Sequence, residues 1–153
     1  MSDSDEKTVE PIKTDEVEGV QDGSTAKMSN SPKVLIVEDD PLIVKMYQAK
    51  FTHEGFQVMV AEDGLTGLNM ALKNDPSFIV LDIMMPQLSG IDLLEKLRTD
   101  TKGKTIPVII LTNLSEKDEE QKAIQLGAKE YLLKANLTPG EVVLKVKKHL
   151  GIA

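Results

Sequence analysis

From Lys33 onward the chain alternates short, wholly apolar runs with longer stretches whose apolar residues recur at helical spacing. Val34-Leu35-Ile36-Val37 predicts a buried strand, followed by Asp40-Pro41 as an N-cap and first-turn proline. The helix it opens runs through His53, with Leu42, Met46, Ala49 and Phe51 near one face, and Gly55 stops it. Phe56 to Ala61 predicts a second strand, and Asp63 caps a helix to Lys73 with Leu65, Leu68 and Leu72 on one face. Phe78 to Leu81 is the third strand, and a loop over Asp82 to Ser89 leads to a helix carrying Ile91, Leu94 and Leu97. Ile106 to Leu111 is the fourth strand; Ser115 then caps a strongly charged helix that ends at Gly127. Tyr131 to Leu133 is a short fifth strand, and Thr138-Pro139-Gly140-Glu141 is a capping box opening a last helix to about Leu150.

Five β-α repeats with wholly apolar strands imply a parallel sheet covered on both faces. Connection rules favour an α/β fold of flavodoxin-like, doubly wound type: five parallel strands in the order 2-1-3-4-5, with five helices. In such a sheet the ligand site lies at the carboxyl ends of strands 1 and 3. Those ends are where the chemistry gathers. Strand 1 runs into Glu38-Asp39-Asp40, strand 3 into Asp82, strand 4 into Thr112 and strand 5 into Lys134. A polar residue at one strand end is ordinary loop chemistry, and Asp40 reads as a cap alone. Carboxylates, a hydroxyl and an amine at every neighbouring end point to a single site.

Composition narrows the function further. The first 32 residues hold eight acidic and three basic side chains, so −5 of the chain's −7 lies there. They read as a disordered acidic tail ahead of a domain over 33–153, and Met28 is a second candidate for the initiator. No basic stripe suits nucleic acid, and Lys145, Lys147 and Lys148 read as a solvated last helical turn. The chain has no cysteine, which excludes disulfides and thiolate metal sites. No apolar run approaches the roughly 20 residues of a membrane span, and a cytoplasmic location is expected. His53 and His149 lack metal-ligand spacing and read as surface residues.

The run Val34 to Pro41, Leu81-Asp82-Ile83-Met84-Met85-Pro86 with Gly90, Leu111-Thr112, and Tyr131-Leu132-Leu133-Lys134 together resemble the response-regulator receiver family over residues 33–150. The resemblance implies a phosphoacceptor at Asp82, an acid pair at Glu38 and Asp39, a switch hydroxyl at Thr112, an aromatic switch at Tyr131 and an essential lysine at Lys134. It implies Mg²⁺ held by Asp39, Asp82 and the backbone carbonyl of Met84, with Glu38 acting through water. A hard cation with oxygen ligands fits that set. It also implies a sensor histidine kinase or histidine phosphotransfer protein as donor, and an output face on helix 4, strand 5 and helix 5. That face is also open to pairing of two copies. With no output module after the last helix, a stand-alone regulator that catalyses only its own phosphorylation and dephosphorylation is expected.

Two departures from the family are visible. Ala135 follows Lys134 where proline is usual, and a trans bond is expected because a non-proline cis bond costs about 3 kcal/mol. Glu38 stands where Asp is commoner. Met84 and Leu114 occupy the positions best placed to hold a hydrolytic water, which predicts slow loss of the phosphoryl group. An aspartate-dependent phosphohydrolase would carry a second Asp at Met84, and a partner-binding pseudo-receiver would lack the intact acceptor set.

Overall fold

The computed structural model describes residues 30–153, so the expected tail over 1–32 falls almost wholly outside the described residues. Five strands form one parallel sheet: β1 (Lys33–Val37), β2 (Gln57–Ala61), β3 (Phe78–Leu81), β4 (Val108–Thr112) and β5 (Glu130–Leu133). Their order is β2-β1-β3-β4-β5, the expected 2-1-3-4-5. β3 and β4 are buried throughout and β1 from Val34 on, whereas the edge strands β2 and β5 are mostly half-buried. Wholly apolar sequences are what a central strand covered on both faces requires.

Alternate residues of each strand serve opposite layers. Val34, Ile36, Phe78, Val80, Ile109 and Leu111 pack with Tyr47 and Phe51 of α1 (Pro41–His53) and with Val142, Val143 and Val146 of α5 (Pro139–Leu150). Leu35, Val37, Ile79, Leu81, Val108 and Ile110 pack against α2 (Gly64–Lys73), α3 (Gly90–Thr99) and α4 (Lys117–Gln125). Three of the four expected caps form. Asp40 accepts from the Leu42 amide at 2.9 Å and Asp63 from the Thr66 amide at 2.8 Å. The Thr138–Glu141 capping box closes reciprocally. Every helix starts at the edge where the strands end. The last turns therefore collect Lys50, His53, Lys73, Lys96, Arg98, Lys122, Lys147, Lys148 and His149 at the opposite edge.

Three expectations are overturned. Ser115 does not cap α4. The N-cap is Glu116, which makes no side-chain capping bond, and Asp118, Glu119 and Glu120 complement the first turn instead. In α1 the expected apolar face is turned outward in part: Leu42 is 68% exposed and Met46 44%, while Val44, Tyr47 and Phe51 are buried. The segment is apolar on several sides, so periodicity alone does not select the face. Leu65 of α2 is likewise exposed, and Gly67 and Ala71 meet the sheet in its place.

Candidate functional site

Register brings the acidic residues together. Val37 pairs with Leu81, so the residues that follow, Glu38 and Asp82, leave the sheet side by side. The Asp82 amide donates to the Val37 carbonyl at 3.1 Å, and the Glu38 amide to Ala61 at 3.0 Å. On the other side Thr112 pairs with Leu133, which delivers Lys134 next to the same edge. Among the described residues Glu38, Asp82 and Thr112 are buried, at 4%, 6% and 0% exposure, whereas Asp39 is exposed.

Glu38, Asp39 and Asp82 each offer a carboxylate oxygen within 4.8 Å of the others, a cluster able to hold a metal ion. Lys134 Nζ reaches into it, 2.5 Å from Glu38 Oε1 and 2.8 Å from Asp82 Oδ2. The remaining oxygens are held by backbone: Glu38 Oε2 accepts from the Asp40 amide at 3.0 Å and Asp82 Oδ1 from the Met84 amide at 3.2 Å. Three carboxylates thus face one ammonium, leaving two negative charges. Burial pushes the Glu38 carboxyl above its ordinary value, against the pull of Lys134. Burial opposes the Lys134 charge too, but Asp82 and Glu38 outweigh it and hold its proton more tightly than usual. An ammonium that firmly protonated favours anions beside it.

The hydroxyl and the aromatic ring meet through one peptide. Thr112 Oγ1 accepts from the Leu114 amide at 3.2 Å, and the Tyr131 hydroxyl donates to the Leu114 carbonyl at 2.5 Å. Burial, then Glu119, Glu120 and Glu116, push the Tyr131 phenol above its ordinary value. Met84 is 59% exposed. Lys134 to Asn136 forms a 3₁₀ turn, and among the described residues no peptide bond is cis, so Lys134–Ala135 is trans as expected. His53 is exposed, and His149 pairs with Glu130 at 2.6 Å.

Two contributors escaped the sequence reading. In the sequence Gly90 is only part of a motif. A Cβ there would lie 2.2 Å from the Asp82 carbonyl oxygen, so the start of α3 presses on the backbone of the acidic loop. Tyr47, a buried residue of α1 that lines one small cavity with Glu38 and Asp82, is the other. Its signal in the sequence was a tyrosine among the apolar residues of α1.

The family described as "Response regulator receiver domain" matches residues 34–147. The response regulator PleD of Caulobacter vibrioides is 36% identical over 104 residues, covering 68% of this chain and 23% of PleD. The transcriptional regulatory protein CusR of Escherichia coli is 38% identical over 102 residues, 67% of this chain and 44% of CusR. The chain thus spans less than half the length of these curated relatives. Among solved structures, the receiver domain of the Francisella response regulator 1452 superposes with a TM-score of 0.70 at 35% identity, covering 77% of this chain and 95% of that one. No helix among the described residues is long and apolar enough to cross a membrane. With the sheet order, the clustered carboxylates and the family match in agreement, the chain belongs to the response regulator receiver domain family.

Proposed function

We propose that this chain is a phosphoacceptor switch in which Asp82 takes a phosphoryl group from a phosphohistidine donor, with Mg²⁺ bound beside it. The observation that carries the reading is Lys134 seated between Glu38 and Asp82 within a cluster of three carboxylates. An oxygen-only donor set suits a hard cation: Asp39, Asp82 and the Met84 carbonyl would hold it, with Glu38 acting through water. When bound, Mg²⁺ supplies positive charge against the phosphoryl oxygens.

The chain's own residues do the rest by position. A carboxylate oxygen of Asp82 bonds to phosphorus as the bond to the leaving nitrogen breaks, and the leaving group keeps the electron pair. Asp82 is almost fully buried and held on both oxygens, so it meets the donor already oriented. Phosphorylation adds about one further negative charge, which Lys134 and the Thr112 hydroxyl are placed to meet. Turning toward a phosphoryl oxygen would take Thr112 Oγ1 away from the Leu114 amide. The Leu114 carbonyl is the partner of Tyr131, so the change passes to α4 and β5. The output face is then α4, β5 and α5. It would engage a downstream protein or a second copy, in the cytoplasm.

The test is incubation with acetyl phosphate and Mg²⁺ followed by intact mass. One phosphoryl increment is expected in the parent and none in Asp82→Asn. An increment that survives in the variant removes Asp82 as the acceptor.

A further inference from the structure

Tyr47 sits on the sheet-facing side of α1 and is 3% exposed. Its ring packs among Val34, Ile36, Phe51 and Val80. Among the described residues its hydroxyl makes no hydrogen bond to protein. Buried hydroxyls almost always have a partner, so one without a protein partner calls for an explanation. Beside it lies a small cavity of about 10 Å³, walled by aliphatic side chains such as Ile36 and Leu111 and by three polar groups: Tyr47, Glu38 and Asp82. That volume is at the lower bound of what a single water needs, and a buried water requires two or more polar partners.

We propose that one ordered water fills this cavity, accepts from the Tyr47 hydroxyl and donates to the Glu38 carboxylate, making Tyr47 a positioning residue of the acidic site. Both Glu38 oxygens retain acceptor capacity, since one donor is seen on each: Lys134 on Oε1 and the Asp40 amide on Oε2. Glu38 is preferred over Asp82 as the target because it lines the cavity together with Ile36 and Val37, the two residues before it, and α1, which carries Tyr47, follows directly from that end of β1. The second water hydrogen has the Asp82 carboxylate on the same wall. Glu38 carries one more methylene than aspartate and so has one more torsion to fix. Lys134 and the Asp40 amide hold its tip, and the water would hold it from the core side. The consequence for metal binding rests on the proposed Mg²⁺-assisted phosphoacceptor role.

Tyr47→Phe removes the hydroxyl and keeps the ring. Mg²⁺ binding, followed by amide shifts of Glu38 and Asp39, is expected to weaken about fivefold, the scale of one water-mediated bond to a charged group. The melting temperature should stay close to the parent's. A high-resolution crystal structure of the parent is expected to show a water within hydrogen-bond distance of both Tyr47 Oη and a Glu38 carboxylate oxygen. Equal Mg²⁺ affinity in the two proteins overturns the proposal, as does a crystal structure with no water there. If Tyr47→Phe does not fold, the crystal structure decides alone. A parent that binds Mg²⁺ and holds the water but takes no phosphoryl group refutes the phosphoacceptor reading and leaves the role of Tyr47 standing.

Discussion

The hydroxyl of Tyr131 is bound to the backbone carbonyl of Leu114 at 2.5 Å, across the gap between β5 and the loop that leads to α4. The amide of the same residue, Leu114, is taken by Thr112. One peptide segment thus reports the position of the buried hydroxyl to a ring at the molecular surface. Tyr131→Phe is expected to lose about 1 kcal/mol of stability while Asp82 is phosphorylated at the parental rate. Amide hydrogen exchange should quicken at residues 113–116. Unchanged exchange there would mean the bond does not hold the loop.

Gly90 offers a test of how tightly the acidic loop is packed. A methyl group at Gly90 would meet the Asp82 carbonyl at 2.2 Å and the Ile83 Cα at 2.7 Å, both backbone atoms that cannot swing aside. Gly90→Ala should cost about 1–3 kcal/mol, the range for overpacking, and should lower the rate of phosphorylation by acetyl phosphate. A variant as stable and as reactive as the parent would show that the loop yields easily.

Loss of the phosphoryl group is expected to be slow. In-line attack needs a positioned water, and neither Met84 nor Leu114 offers a strong side-chain hydrogen bond to hold one. Met84 is exposed beside Asp82, and Leu114 is half-buried beside Thr112. The double variant Met84→Asn, Leu114→Glu should decay about tenfold faster, on the scale of a positioned catalytic group. The check is phosphoprotein remaining against time by intact mass. Equal half-lives would remove these positions from control of the water.

The α5 helix is pinned at two carboxylates with an acid limit. Lys147, assisted by Lys50, holds the Glu54 carboxyl below its ordinary value of 4.5. Glu130 is lowered as well: burial opposes the shift, but bonds from His149 and Lys145 overcome it. Depressed carboxyls stabilise the fold above their unfolded value, and that stability is lost as pH falls through the lower folded value. Glu38 is raised and acts in the opposite sense, in a window above 4.5. Thermal unfolding should therefore lose stability on acidification below about pH 4.5, and the loss should be shallower in the Glu54→Gln, Glu130→Gln double variant. Parallel curves for the two proteins would assign the acid response elsewhere.

Arg98 joins three segments at the far edge of the sheet. Its Nε donates to the Leu126 carbonyl at 2.7 Å, and its Nη1 to the carbonyls of Gly103 at 2.9 Å and Ile106 at 2.8 Å. A lysine cannot reproduce a planar fork of donors. Arg98→Lys should cost about 2 kcal/mol by stranding partly buried carbonyls, seen as a lower denaturant midpoint with phosphorylation intact. A midpoint equal to the parent's would show that water satisfies those carbonyls.

The strands and the residues that end them were legible because both signals are local. A four-residue apolar run such as Phe78–Leu81 admits few other readings, and Asp82 follows it directly. Sheet order then assembled residues as distant as Glu38 and Lys134 without any measured contact. Helix orientation was less legible. Leu42 and Met46 made as good a stripe in α1 as Val44 and Tyr47, and the choice belongs to how α1 is docked on the sheet. Ser115 was a plausible cap by residue type, but a cap depends on where the backbone enters helical geometry, and that happens after Glu116. Tyr47 is a ring among the apolar residues of α1, and nothing in that pattern marks its hydroxyl.

Helices that all begin at one edge and end at the other also give the molecule an electrical orientation. Glu38, Asp39, Asp40, Asp63 and Asp82 lie at the starting edge, and the last-turn lysines with Arg98 at the far one. Such a separation of charge is a permanent dipole across the width of the domain, and a charged neighbour exerts a torque on it. At physiological ionic strength screening sets in over about 8 Å, so the torque acts only in the last moments of an encounter. In that interval a divalent ion, or a partner with a cationic rim, turns the carboxylate edge toward itself before any contact forms.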